Sequence, residues 1–238
     1  LVNLILVAGG NGSRFNQDQT QLPKQYIKID GEFLIKITAN HFLKHKAIKK
    51  IVIAIRKEDE GLAKQIFETE ITQGKIFLVY GGKSRLESVK NGVFLIKNHD
   101  LATNFVLIHD AARPMIPTDL IQNLINKIEV SDSSGVFPGL EITDALKLKR
   151  DNKIYSVNRS EYLISQTPQI FCFKSLTHCF ENFDFDNALN LSEIHDEIDL
   201  IERFGFKSDF INGSKQNIKI TTQNDLEIYK NQLSSNEI

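Results

Sequence analysis

Short runs of Val, Ile, Leu and Phe alternate along the chain with stretches in which apolar residues return every three or four positions. The runs at 3–7, 50–55, 75–80, 105–109 and 135–137 read as strands buried on both faces, since continuous apolarity over so few residues leaves no solvent side. Between them, 33–43, 58–68, 86–96 and 120–128 read as amphipathic helices. In the last of these Leu120, Ile121, Leu124, Ile125 and Ile128 share one face. Parallel strands need crossovers and cover on both faces, so the alternation predicts an α/β fold: a Rossmann-like, mostly parallel sheet sandwiched by helices. Ligands of such sheets bind beyond the carboxyl ends of the strands.

Residues 144–159 break this rhythm. They alternate in period two around Asp151-Asn152, a two-residue hairpin turn. That register sets Leu148 opposite Tyr155, Leu146 opposite Val157 and Asp144 opposite Arg159, with four apolar side chains on one face. A lone two-stranded ribbon is not stable in water, so the segment is expected to be a protruding β-hairpin arm that covers something, most economically a second copy in a homodimer. Apart from a polar stretch at 184–192 and a frayed tail at 234–238, nothing marks a linker or a repeat, and 1–238 reads as a single domain that includes the 144–159 arm.

Composition narrows the function. With 29 Lys plus Arg against 30 Asp plus Glu, the net charge is −1, so the chain has no global field for nucleic acid or an acidic membrane, and any anion site must be local. Cys172 and Cys179 form neither a disulfide framework nor a metal pair, which suits a reducing compartment and a cytoplasmic location. The apolar run 4–8 is too short for a membrane span and lacks the charged flank of a signal peptide.

Candidate chemistry begins where the first strand ends, in VAGGNGSRF at 7–15. Gly9, Gly10 and Gly12 let backbone N–H groups approach phosphate oxygens unobstructed. The dinucleotide fingerprint is excluded because Phe15 stands where its third glycine belongs. The Walker pattern is excluded because Phe77 lies five residues before Gly82-Lys83-Ser84. Two cations follow the loop, Arg14 and Lys24, and transfer at phosphorus asks a protein mainly for alignment and charge neutralisation. The same local pattern also suits a tight turn with solvated cations. For Ser88 the alternative is a helix cap or a solvent-exposed hydroxyl, and Arg85 reads equally as a charge on a helix surface. His109 reads as a packed residue rather than a base, because a phosphate monoester is already anionic at neutral pH. His195-Asp196 is a single pair without further metal ligands.

The glycine loop with Arg14, Pro23-Lys24-Gln25, GGKSRLESVKNG at 81–92, HDAARP at 109–114, QTPQ at 166–169 and NIKIT at 217–221 together resemble the 2-C-methyl-D-erythritol 4-phosphate cytidylyltransferase family over nearly the whole chain. The resemblance implies transfer of CMP from CTP to methylerythritol phosphate with release of pyrophosphate, assisted by Mg²⁺ or another divalent cation held largely by the triphosphate, in a homodimer. It implies Arg14 and Lys24 as transition-state stabilisers. Ala8, Gly9, Gly10, Gly12, Gly81, Gly82, Lys83 and Ser88 would hold the nucleotide, with the backbone of Lys83 prominent. Arg159 and Lys219 would position the sugar-alcohol phosphate, with Asp110, Thr167 and Asp196 as further contacts and Arg113 reaching toward a neighbouring subunit's substrate. No metal ligand is assigned.

Two positions depart from the family. Ala145 replaces a threonine of the arm and supplies no hydroxyl, and Phe15 replaces a methionine after the arginine. Ribitol 5-phosphate cytidylyltransferases share the glycine loop, QTPQ and NIKIT, but HDAARP and Ser88-Val89 fit the methylerythritol enzymes better. A nucleotide-binding regulatory module without turnover is the alternative of another class. The joint presence of Arg14, Lys24, Arg159 and Lys219 argues against it.

Overall fold

The computed structural model describes residues 1–10, 15, 22–99, 101, 103–187 and 194–235. Its first strand, β1 (Val2–Val7), lies mid-sheet, and two short strands, β2 (Lys28–Ile29) and β3 (Glu32–Phe33), lead to α1 (Leu34–Leu43). Then come β4 (Ile48–Ile55), α2 (Glu60–Ile66), α3 (Glu68–Thr72), β5 (Ile76–Tyr80), α4 (Arg85–Asn98), β6 (Phe105–Asp110), α5 (Leu120–Val130) and β7 (Gly135–Glu141). The chain continues through β8 (Lys147–Arg150), β9 (Lys153–Ser156), β10 (Leu163–Ser165), β11 (Gln169–Cys172), α6 (Phe173–Asn182), α7 (Glu197–Arg203), β12 (Ser208–Asn212) and α8 (Gln223–Ser235).

The main sheet runs β10-β7-β11-β6-β1-β4-β5, with β12 also on β7. β1 pairs in parallel with β4 and β6, β4 with β5, and β12 with β7, whereas β11 is antiparallel to β6 and β7, and β10 to β7. The parallel half is the α/β sheet that the periodicity predicts. The other half is mixed because the chain returns from the arm through β10 straight into β11 with no helix between them, and a parallel neighbour needs a crossover.

Alternation along the central strands divides the apolar residues between two cores. Leu4, Leu6, Ile51, Ile53 and Leu107 face α1 and α5, while Ile5, Val52, Val106 and Ile108 face α4, α6 and α7. α4 presses closely on the sheet at Gly92, where a Cβ would stand 2.9 Å from Ile5 Cγ2. Phe15, Ile29, Leu34, Ile220 and Tyr229 form a third cluster that seats α8.

Two expected elements differ. The helix at 58–68 breaks at Phe67, whose wholly buried ring leaves helical geometry (φ −114°, ψ 20°) to reach the core and so separates α2 from α3. Segment 217–221, NIKIT, whose alternation of polar and apolar residues reads as a strand, is instead an irregular run. Its backbone bonds are scattered rather than laddered: Ile220 N–H donates to Ala112 O at 2.8 Å, and Asn217 O accepts from Arg113 Nη1 at 2.7 Å and Gln166 Nε2 at 3.3 Å.

The β8–β9 ribbon has the expected register, Leu148 opposite Tyr155 and Lys149 opposite Ile154, closed by Asp151 and Asn152 at φ 50° and 58° as the hairpin turn demands. The pairing extends to Leu146–Val157 and stops before Asp144 and Arg159. All eight strand residues of the ribbon are exposed in the single chain.

Candidate active site

β1, β4, β5 and β6 end together at a cleft of about 730 Å³. Six Lys or Arg (Lys24, Arg56, Lys57, Lys83, Arg85 and Lys219) line it among the described residues, against Glu58 and Asp110. In a chain of net charge −1 this is the local positive field that an anion site needs.

Two loops of opposite hydrogen-bonding polarity flank the cleft. After β1, Gln25 Nε2 donates to Ala8 O at 2.6 Å and Gly10 O at 3.1 Å, so carbonyls of the first loop are taken. The N–H groups of Gly9 and Gly10 meet no acceptor among the described residues, the arrangement that suits a phosphate. After β5 the reverse holds. Gly81 N–H goes to Ile55 O at 2.8 Å, Gly82 N–H to Ser88 Oγ at 3.1 Å and Lys83 N–H to Glu87 Oε2 at 2.6 Å. From Gly81 to Lys83 the backbone N–H groups are thus engaged, and the carbonyls are the groups left open among the described residues.

The second loop is fixed by the start of α4. Ser84 Oγ accepts from Glu87 N at 3.1 Å while Glu87 reaches back to Lys83, a capping box displaced by one residue. Ser88 is 3% exposed and donates to Ser84 O at 2.8 Å, and a Cβ on Gly81 would lie 2.8 Å from its Oγ. Its buried position under the loop excludes the solvent-exposed reading.

Asp110, at the end of β6, gathers the charges of the cleft floor. Its Oδ1 accepts from Arg85 Nε at 3.0 Å, its Oδ2 lies 2.6 Å from Lys219 Nζ, and Arg113 Nε stands 4.0 Å away. Burial works to raise the Asp110 pKa, but the charges of Arg85, Lys219 and Arg113 outweigh it and hold the carboxyl far below the usual range. Arg85 also gives Nη1 to both oxygens of Glu197, at 2.9 and 2.7 Å. Glu197 is wholly buried, and burial pushes its pKa up against the pull of Arg85.

Lys24 lines the cleft and donates to Ile220 O at 2.8 Å, so the loop after the glycines and the 217–221 segment hold each other. His109 is fully buried with Nε2 3.0 Å from Arg113 O. A carbonyl only accepts, so Nε2 carries the proton, and burial pushes the imidazole pKa down to about 3. It is the packed residue expected, with its ring 5.1 Å from Phe42.

Other expected site residues stand back from the cleft. Thr167 Oγ1 accepts from Asp110 N at 3.2 Å, behind the floor. Arg113 donates from Nη1 to Asn217 O at 2.7 Å, and burial lowers its pKa. Asp196 caps α7 through Asp199 N at 3.1 Å and accepts from Gln169 Nε2 at 2.7 Å and Ser165 Oγ at 3.0 Å. Arg159, bonded to Thr143 O at the foot of the arm, does not join Lys219, because the arm carries it away from its own cleft. Gly12 and Arg14 lie outside the described residues.

Sequence reasoning missed Gln25, Arg85 and Glu197 as parts of the site. The S-x-x-E string at 84–87 carried the signal for Arg85, since a capping box there makes Arg85 the first helical residue after a strand-end glycine loop. Glu197 gave none, because only the fold brings α7 to β6.

The chain matches the family model described as IspD: 2-C-methyl-D-erythritol 4-phosphate cytidylyltransferase over residues 2–235. It is 35% identical over 225 residues to the 2-C-methyl-D-erythritol 4-phosphate cytidylyltransferase of Haemophilus ducreyi, covering 94% of this chain and 92% of that protein. It is 34% identical over 228 residues to the bifunctional enzyme IspD/IspF of Wolbachia pipientis, covering 95% of this chain but only 54% of that longer protein. Among solved structures, 4-diphosphocytidyl-2C-methyl-D-erythritol synthase from Anaerococcus prevotii superposes with a TM-score of 0.79 at 28% identity, covering 98% of this chain and 96% of the other.

Proposed function

This chain belongs to the 2-C-methyl-D-erythritol 4-phosphate cytidylyltransferase family, and we propose that its cleft transfers CMP from CTP to 2-C-methyl-D-erythritol 4-phosphate, a step of isoprenoid precursor synthesis. The observation that supports this reading best is the opposed polarity of the two loops. Free N–H groups at Gly9 and Gly10 suit the triphosphate. A turn at Gly81–Lys83 that retains only acceptors suits the exocyclic amine of cytosine and disfavours the carbonyl that uracil carries in its place.

The acceptor's phosphate oxygen attacks the α-phosphorus, the bond to the bridging oxygen of the β-phosphate breaks, and pyrophosphate leaves. The attacking monoester is already ionised, so no side chain is assigned as a base, consistent with the buried, neutral His109. Lys24 stabilises the charge that builds on the transferred phosphoryl group, with Arg14 as the second cation from the family pattern. Lys219, held by Asp110, orients the acceptor phosphate.

Among the described residues no three His, Cys, Asp or Glu gather as a metal cage. A divalent cation of the Mg²⁺ type fits this cleft as a companion of the triphosphate, since Mg²⁺ is commonly bound by substrate phosphates and one or two carboxylates. Asp110 is the carboxylate of the floor that would meet it, and the cation would supply charge neutralisation on the phosphates.

We assign the whole chain to one unit with the arm as its dimer contact. The wet face of the ribbon carries Leu148 and Tyr155, 41% and 46% exposed, and the arm holds Arg159 outside its own cleft, which suits delivery to the cleft of a second copy. Among the described residues no helix is long and apolar enough to cross a membrane, and both cysteines are free. We place the protein in the cytoplasm on that cysteine usage.

Pyrophosphate release from CTP, offered with methylerythritol, ribitol and hexose phosphates in turn, tests the reading. Fast turnover with the methylerythritol phosphate is expected, and equal or faster turnover with ribitol 5-phosphate overturns it.

A further inference from the structure

Arg85 and Glu197 have no part in the reaction as described so far, yet both side chains are held by charged hydrogen bonds. Each stands at the start of a helix whose cap is satisfied. Arg85 follows Ser84, which caps α4, and Glu197 follows Asp196, which caps α7 and is tied to β10 and β11 through Ser165 and Gln169. Both oxygens of Glu197 are spent on one nitrogen, Arg85 Nη1, and Arg85 Nε is spent on Asp110 Oδ1. No described residue accepts from Arg85 Nη2, although the side chain lines the cleft and is 28% exposed.

Burying an ion pair is a poor way to gain stability, because desolvation cancels much of the attraction and an apolar pair of similar volume often does as well. Its yield is orientation. A guanidinium held at two of its three nitrogens presents the third in a fixed direction. By occupying Oδ1 of Asp110 it also leaves Oδ2 to Lys219.

We propose that Arg85 is a substrate-binding residue that donates from Nη2 to the phosphate of the acceptor, and that Glu197 is a positioning residue that aims it without touching substrate. The inference rests on the cytidylyltransferase reading and names a part of the same site. Arg85 then serves the acceptor end of the cleft together with Lys219. The glycine loops serve the nucleotide independently of both.

The test is a double-variant cycle in kcat/KM with R85Q, E197Q and R85Q/E197Q, each checked for folding by thermal melting. E197Q keeps the shape of the side chain and removes its charge. The expected result is a KM for methylerythritol phosphate raised tenfold or more in E197Q, with KM for CTP within twofold of the wild type. If Glu197 acts through Arg85, the double variant is no worse than R85Q alone within threefold. Fold-losses that multiply, or a rise shared equally by both substrates, overturn the proposal. Should E197Q not fold, R85K decides, since it keeps the charge and loses the fork: an unchanged acceptor KM overturns the proposal and a selective rise supports it. Wild-type protein that fails to turn over methylerythritol phosphate removes the underlying reading instead, so the two failures are told apart.

Discussion

Lys219 Nζ lies 2.6 Å from Asp110 Oδ2, joining an irregular segment near the end of the chain to the last residue of a central strand. Lys219 is about a third exposed, so its contact with Asp110 serves to place a cation in the cleft more than to hold the fold.

Replacing Lys219 by alanine is therefore expected to raise the KM for the acceptor tenfold or more with little change in melting temperature, while calorimetry shows CTP binding nearly intact. Replacing Lys24 by alanine is expected to lower kcat about a hundredfold, the usual loss when one preorganised charge partner of a transition state is removed. A folded Lys24→Ala protein with unchanged kcat refutes its assignment.

Gln25 is 3% exposed and satisfies two carbonyls of the first glycine loop. Gln25→Leu keeps the bulk and strands both oxygens, so it should cost about 1–3 kcal/mol in urea unfolding and weaken CTP binding without changing the acceptor KM. Gly81→Ala sets a methyl group 2.8 Å from Ser88 Oγ and should damage nucleotide binding in the same selective way.

His109 supplies a pH dependence of definite sign. Burial holds the folded imidazole down at about 3, whereas in the unfolded chain it titrates near 6.5. Its neutral state thus contributes stability that is complete above the unfolded value and is lost as the pH falls toward the folded one. Between pH 7.5 and 5.5 the loss is about 1.4 kcal/mol. Urea titrations at those two pH values should show His109→Gln losing less stability on acidification than the wild type, even though the variant is weaker at both. An equal loss in both proteins contradicts the account.

Charging Leu148 and Tyr155 together, as Leu148→Glu with Tyr155→Glu, tests the arm. Each large side chain buried across a two-fold contributes roughly 1.5–3 kcal/mol, so both changes together should leave a monomer by light scattering. Turnover should fall with the dimer, since the arm carries Arg159. A dimer of normal activity in the charged variant rules out the arm as the contact.

Much of this was legible in the residues. Period and turn chemistry decide a strand, a helix face or a hairpin register locally, so the ends of β1, β4, β5 and β6 and the pairing of Leu148 with Tyr155 follow from the chain alone. Contacts between distant elements do not. Nothing near Glu197 tells that α7 will meet Arg85, and the alternation in residues 217–221 reads as a strand although its backbone groups bond instead to Ala112 and to the side chains of Arg113, Gln166 and Lys24. Arg159 is a similar case, since its expected role comes from the family resemblance while the course of the arm decides where its side chain stands.

Lys24 reaches Ile220, and Ile220 in turn donates to Ala112, so the cleft is clasped by segments that lie 196 residues apart in the chain. Closing so long a loop costs chain entropy that is recovered only once the central sheet between the two segments has formed. While the clasp is open the molecule carries the glycine loops without the group that orients the acceptor. Catalytic competence is then the last property gained on refolding, and turnover should recover later than secondary structure.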